Sequence, residues 1–185
     1  MASLPNSKTV TYEEWLQMPV VKGAKEEVVN GEIRITPVPS WNHSEILDNL
    51  SHLIARQVDR RKVEVATSLF DLIIRRQPLT AREPDLAVFD ASTIVEKDGR
   101  IHSAPQLVVE VRSPSNTRRE REEKLRDYAS LGVPEMWELD PEDRSVEVLY
   151  LEDGELRRHA LLTDGILKPR HFPNVQIHIP EIWPA

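Results

Sequence analysis

Two short, almost wholly apolar segments constrain the fold of this chain most strongly. The first runs from Asp85 to Phe89 and the second from Gln106 to Val111. Segments of this length and composition are typical of central strands whose sheet is covered on both faces. Each carries one acid, Asp85 in the first and Glu110 in the second. A carboxylate placed in such a strand is costly unless something binds it.

The two acids indicate a metal site. Carboxylates held side by side repel each other, and a divalent cation is the usual remedy. Mg²⁺ or Mn²⁺ prefers hard oxygen ligands, lowers the pKa of a bound water and stabilises charge on a phosphate. We therefore expect phosphodiester hydrolysis, with Asp85 and Glu110 as metal ligands and the backbone carbonyl of Val111 completing the shell. The alternative is an ordinary strand-end pair, with Asp85 in a turn and Glu110 in a structural salt bridge.

Such a site also needs a lysine, which orients the water or offsets the developing negative charge. Two residues after Glu110 the chain has Arg112, which can clamp a phosphate but stays protonated and is a poor base. The better candidate is Lys124, on the predicted helix that follows. Glu120, Lys124 and Tyr128 are four residues apart and share one face of that helix. Alternatively, Lys124 is an exposed lysine paired with Glu120.

The chain has 185 residues, no cysteine and a net charge of −7. This length suits one domain, which we expect to span residues 1–185. The lack of cysteine excludes disulfides, zinc–thiolate sites and a cysteine nucleophile, and it fits a reducing cytoplasm. The acidic balance argues against a general nucleic-acid coat protein. We expect neither a signal peptide nor a membrane span, because no apolar run is long enough.

The remaining pattern predicts an α/β fold, a mixed sheet flanked by helices with antiparallel hairpins added at its edges. Helices are predicted from a capping box at Thr11, and then at about 44–59 and 117–131. The Asn30-Gly31 pair predicts a hairpin. Further strands are predicted at 63–66, 69–74, 135–139, 145–151 and 155–162. Residues 75–82 are predicted as a polar loop, and residues 113–116 as a turn and cap before the last helix.

Several of these residues form a joint pattern that resembles a known family. The pattern consists of Pro84-Asp85, the Leu107–Val111 segment with Ser113-Pro114-Ser115, Glu120, Lys124, Leu125, Tyr128, Gly132-Val133-Pro134-Glu135-Met136-Trp137 and Asp140-Pro141, with Glu27-Val28-Val29-Asn30-Gly31-Glu32 and His43 before them. From about Tyr12 to Trp183, the chain resembles the Uma-two family of restriction-endonuclease-like proteins. That family lies in the PD-(D/E)xK nuclease-like superfamily.

The resemblance implies a restriction-endonuclease-like fold and a Mg²⁺- or Mn²⁺-dependent endonuclease with DNA as its substrate. It implies that Asp85 and Glu110 bind the metal and that Glu27 is a third acid near the site. It also implies that Lys124 has replaced the lysine missing at Arg112. Because nucleases that cut both strands usually need two sites, we expect a homodimer.

Other features leave two interpretations open. His43, near the start of the second predicted helix, is either a phosphate contact or base in the site, or a helix cap. Basic residues near the last predicted helix form either a phosphate-binding surface or a solvated helix with internal ion pairs. They are Arg112, Arg118, Arg119, Arg121, Lys124 and Arg126. Two alternatives to a DNA endonuclease remain. The acidic net charge and Arg112 also fit a protein that keeps the nuclease fold but acts by binding. A metal-dependent hydrolase acting on a smaller phosphate substrate is the other alternative.

Overall fold

The computed structural model describes residues 9–19, 21, 23–67, 70–114 and 117–184. Its three α-helices are α1 (Tyr12–Leu16), α2 (Trp41–Ala55) and α3 (Arg118–Leu131). Its strands are β1 (Ala24–Val29), β2 (Glu32–Pro37), β3 (Val63–Thr67), β4 (Leu72–Arg76), β5 (Leu79–Arg82), β6 (Leu86–Asp90), β7 (Glu96–Lys97), β8 (Arg100–Ile101), β9 (Leu107–Val111), β10 (Glu135–Asp140), β11 (Ser145–Glu152), β12 (Glu155–Leu162), β13 (Ile166–Leu167) and β14 (Ile177–His178).

Twelve of these strands form two six-stranded sheets, and β13 pairs with β14. The central sheet has the order β12-β11-β10-β9-β6-β3, and the hairpin sheet has the order β2-β1-β5-β4-β8-β7. In the central sheet β9 and β10 run parallel, while the other neighbours are antiparallel. The parallel pair is possible because α3 connects its strands, as a crossover requires. The predicted fold class is therefore confirmed. The late hairpin, β11–β12, lies at one edge of the central sheet as expected, whereas the early hairpin, β1–β2, belongs to the second sheet.

Helices cover both faces of the central sheet. On one face, the apolar side of α2, including Ile46 and Leu50, packs against Leu107 and Val109 of β9. On the other face, α3 contributes Tyr128 with the partly buried Leu125 and Ala129 to a cluster that contains Val108. Alternate residues of β9 thus meet different helices, as the two-residue period of a strand requires. This arrangement explains why the segment is apolar almost throughout.

Side-chain caps fix where the helices begin. Thr11 and Thr117 form the capping boxes of α1 and α3. The α2 helix begins about three residues earlier than predicted, because the Ser40 hydroxyl accepts a hydrogen bond from the His43 N–H and caps it there. Since Thr117 caps α3, the cap expected within residues 113–116 is wrong. Residues 115 and 116 of that predicted turn, and Leu69 of a predicted strand, lie outside the described residues.

The predicted polar loop at residues 75–82 is wrong. This stretch contains the end of β4 and all of β5, which pair antiparallel in the hairpin sheet. Leu79 and Ala81 are buried against α1, and Arg82 is only 1% exposed. The polar composition of residues 75–82 led to the wrong prediction. Arg82 can be buried there because acids from distant parts of the chain neutralise its charge.

Candidate active site

Four carboxylates form a row across the central sheet. Leu86 of β6 faces Val109 of β9, so the register continued by one residue places Asp85 opposite Glu110. Glu110 in turn lies beside Glu138 of β10, and Glu138 faces Glu147 of β11. Residues directly opposite in adjacent strands share one face of the sheet. The two predicted metal ligands are therefore the first half of a longer acidic row at one end of the strands.

Asp85 is held by three groups from different elements. Its Oδ2 atom accepts a hydrogen bond of 2.8 Å from the Val111 N–H, and its Oδ1 atom accepts one of 3.0 Å from Nζ of Lys25. Nε2 of His43 lies 3.3 Å from Oδ2 without hydrogen-bond geometry. Burial would raise the pKa of Asp85, but Lys25, His43 and Lys124 hold it well below its usual range. Asp85 is therefore ionised at neutral pH.

The two oxygens of Glu110 also accept hydrogen bonds from different donors. The Tyr128 hydroxyl donates to Oε1 at 2.5 Å, and Nζ of Lys124 donates to Oε2 at 2.6 Å. Burial and the charge of Glu110 raise the pKa of Tyr128 well above its usual value, so the phenol remains a donor. Lys124 and Tyr128 reach the same carboxylate because they are one helical turn apart on α3. The predicted shared face is confirmed for this pair.

Glu27 is the third acid at the site. Its Oε1 atom lies 4.0 Å from Nζ of Lys124, and its Oε2 atom accepts a 2.9 Å hydrogen bond from Arg82. Burial would raise the pKa of Glu27, but Lys124, Arg82 and Lys25 lower it. Arg82 also donates two hydrogen bonds to Asp127 of α3. Glu27 is thus fixed near the carboxylate pair, in the position that the resemblance implied.

The structure places two other predicted residues less centrally. Arg112 forms ion pairs with Asp140 and Glu147 rather than with the Asp85–Glu110 pair. Glu120 belongs to the capping box of α3, where its carboxylate accepts hydrogen bonds from Thr117. Both still line the cleft described below.

The basic residues around α3 are largely paired within the molecule. Arg118 and Arg119 pair with Glu122 and Glu123 on the same helix. Arg121 pairs with Glu138 and also contacts Glu147, 3.1 Å away. These contacts favour the interpretation of α3 as a solvated helix with ion pairs over that of an uncompensated phosphate-binding surface.

A cleft of about 1240 Å³ opens above the carboxylate pair. One wall is the uncharged stretch from Ile35 to Ser40, and the other carries charged side chains such as Arg112 and Lys124. The acids and lysines described above also line it: Lys25, Glu27, Asp85 and Glu110. The site is therefore open to a ligand far larger than a single ion.

The donor set fits Mg²⁺ or Mn²⁺. Within the described residues, no group of three or more His, Asp or Glu side chains is arranged as a ready metal cage. Mg²⁺ seldom uses such a cage, because it keeps several waters and binds through one or two carboxylates plus substrate phosphates. Asp85 Oδ1 and Glu110 Oε2 are suitable atoms, since neutral donors already fix the other oxygen of each carboxylate.

Sequence reasoning missed Lys25, Arg82 and Asp127. Lys25 and Glu27 are two residues apart on β1, so strand alternation could have placed both on one face of the predicted hairpin. Arg82 and Asp127 offered no such signal, because they come together only when the hairpin sheet meets α3.

Comparisons with known proteins agree with this architecture. The sequence model of the Uma2 family, described as "Putative restriction endonuclease", matches residues 12–180. The chain belongs to the Uma2 family. Among curated proteins, none matches the chain.

A similar solved structure is the crystal structure of a "putative nuclease belonging to DUF820" from Anabaena variabilis. Its TM-score is 0.76 at 22% identity, and the match covers 94% of this chain and 97% of that one. The two chains share their fold, which is restriction-endonuclease-like. No helix in the described part of this Uma2 protein has the length and apolar character of a membrane span.

Proposed function

We propose that this Uma2 protein is a metal-dependent endonuclease that hydrolyses phosphodiester bonds in DNA. The observation that carries the proposal is the Asp85–Glu110 pair at the bottom of an open cleft. Each carboxylate has one oxygen fixed by a neutral donor and the other in contact with a lysine. This is a compact arrangement of acid and amine groups that could hold a cation and bind a phosphate.

Asp85 and Glu110 would hold Mg²⁺ or Mn²⁺, with the Val111 carbonyl as a further candidate ligand. The ion would supply a more acidic bound water and charge stabilisation at the phosphate. Lys124 would orient the attacking water and offset negative charge, since its amine is next to Glu110. Tyr128 keeps Glu110 in one orientation. Glu27 lies 4.0 Å from Lys124 on its other side, and His43, at the start of α2, would contact a phosphate.

The proposal includes a homodimer and a cytoplasmic location. A duplex has two strands to cut, and two-fold dimers are the commonest oligomers. Light scattering in solution tests the dimer, and a monomeric mass with and without DNA would refute it. The cytoplasm is proposed because a chain without cysteine suits a reducing compartment.

Metal titration and DNA cleavage test the catalytic proposal together. We expect Mn²⁺ binding by the wild type in calorimetry, and its loss in Asp85→Asn and Glu110→Gln. Cleavage of plasmid DNA should fall on the order of 100-fold or more in both variants and in Lys124→Ala. Glu142→Gln is a matched control, because Glu142 is an exposed acid that lines the same cleft. A folded wild type that binds no metal, even with DNA present, would contradict the proposal.

A second candidate function is binding without catalysis. It is favoured by the ion pairs of the site, because both oxygens proposed for the metal already contact a lysine. In that case the charges serve the fold, and the cleft binds a partner. DNA binding that is unchanged by Asp85→Asn, with no cleavage in any metal, would favour this alternative.

A further inference from the structure

Lys25 contacts the Asp85 oxygen that a metal ion would need. Its Nζ atom lies 3.0 Å from Oδ1, and the side chains of Lys25 and Asp85 are 18% and 7% exposed. The other oxygen, Oδ2, already accepts the Val111 N–H. A cation entering the cleft can therefore approach Asp85 chiefly through the oxygen that Lys25 holds.

An ammonium group and a divalent ion cannot share this position without cost. Both need the lone pairs of one oxygen, and two positive charges a few ångströms apart repel strongly where water is partly excluded. We propose that Lys25 competes with the divalent ion for Oδ1 of Asp85 and thereby sets the metal affinity of the site. This inference rests on the proposed function, since it presumes that the carboxylate pair binds a metal.

The two lysines of the site differ in what they can do when the metal arrives. Lys124 lies between Glu110 and Glu27, at 2.6 Å and 4.0 Å, so it keeps one acid when the other binds the ion. Lys25, by contrast, has one carboxylate within ion-pair distance among the residues that the structure describes, and it is that of Asp85. Lys25 must give up its direct partner to the ion. Its replacement should therefore change metal affinity more than replacement of Lys124 does.

Calorimetric titration of Mn²⁺ into Lys25→Met tests the competition without any activity assay. We expect binding about tenfold tighter than in the wild type, because a competing unit charge has been removed. Lys25→Arg keeps the charge and should gain nothing. Lys168→Met is the matched control for net charge, because Lys168 is exposed and does not line the cleft.

Thermal unfolding gives a second readout in case Lys25→Met is unstable. Without its lysine, Asp85 is a buried charge with one partner fewer, so the variant should melt below the wild type in EDTA. Saturating Mn²⁺ should then raise its melting temperature by more than it raises that of the wild type. The double variant Lys25→Met/Asp85→Asn removes both charges and should show no shift with Mn²⁺.

The outcomes separate this inference from the proposed function. If the wild type binds Mn²⁺ through Asp85 and Glu110 but folded Lys25→Met binds it equally or more weakly, the competition is refuted and the metal site stands. If neither protein binds Mn²⁺, both the inference and the metal-dependent function fall. Mn²⁺ binding by Lys25→Met but not by the wild type would support the competition and would contradict the proposed metal-dependent function of the wild type.

Discussion

Glu83 and Asp85 are two residues apart, yet their surroundings move their pKa values in opposite directions. For Asp85, the nearby lysines and His43 outweigh burial and lower the pKa. For Glu83, burial and the negative charge of Asp71 raise the pKa to about 7. The fold therefore keeps Asp85 ionised and leaves Glu83 partly protonated at neutral pH. Neither effect follows from residue type, because both depend on which charges lie nearby after folding.

Glu83→Gln should stabilise the protein at pH 8 and have little effect at pH 5. The unfolded chain loses this proton near pH 4.3, whereas the folded chain keeps it until about pH 7. The wild type therefore loses stability as pH rises between these values, and glutamine avoids that loss. We expect a gain of about 1–2 kcal/mol at pH 8, reduced by the partial exposure of Glu83. Urea unfolding of both proteins at pH 5 and pH 8 measures this difference in the free energy of unfolding. An identical difference at pH 5 and pH 8 would contradict the shift.

Among the elements, the β1–β2 hairpin contributes directly to the site, because β1 carries Lys25 and Glu27. Its turn is formed by Asn30 and Gly31, both with positive φ, as a tight two-residue hairpin requires. Gly31 also joins neighbouring segments: its N–H donates to the Leu79 carbonyl, and its own carbonyl accepts the Val10 N–H. The turn therefore fixes the hairpin and also links it to the segments that contain Val10 and Leu79.

Gly31→Ala should destabilise the protein more than Gly154→Ala. Both glycines have φ near +80° in two-residue hairpin turns, so alanine is strained in each by about 1 kcal/mol. At Gly31 the added Cβ would also lie 2.7 Å from Cβ of Thr9, whereas nothing lies near it at Gly154. We expect an additional loss of about 1 kcal/mol or more at Gly31 in urea unfolding. Equal losses in the two variants would show that the Thr9 segment moves aside freely.

On the scale of the whole molecule, a buried ion network joins the hairpin sheet to α3. Arg82 of β5 binds Glu27 of β1 and Asp127 of α3, and Arg75 of β4 binds Asp127 as well. Burial alone would lower the pKa of Arg82, but the two acids raise it, so the guanidinium stays charged. The network thus links Glu27 of the hairpin sheet to α3, the helix that carries Lys124.

Arg82→Met should reduce the free energy of unfolding by about 3–5 kcal/mol, because it removes the buried cation that Glu27 and Asp127 share. Arg118→Met is the control: Arg118 is 92% exposed and pairs with Glu122 of its own helix, so its loss should change stability by less than about 0.5 kcal/mol. Urea unfolding of both variants makes the comparison. A loss below about 1 kcal/mol in Arg82→Met would mean that the network contributes little to stability.

The sequence by itself determined most of the longer elements and the neighbours within part of the candidate site. Capping boxes, the Asn-Gly turn and apolar periodicity are local signals, so they placed α1, the first hairpin and α3 correctly. Two consecutive apolar strands put Asp85 beside Glu110, and helical spacing put Lys124 and Tyr128 on one face. These predictions held because each depends on residues that are near in the chain or on neighbouring strands.

The tertiary structure alone decided how these charges are paired. Lys25 meets Asp85 across 60 residues, and Arg82 meets Asp127 across 45. The contacts of Arg82 accompany the burial of β5, in a stretch predicted as a polar loop, and separate contacts pair Arg112 with Asp140 and Glu147. Composition cannot reveal such pairings, because the energy of a buried charge depends on which partner folding brings within a few ångströms.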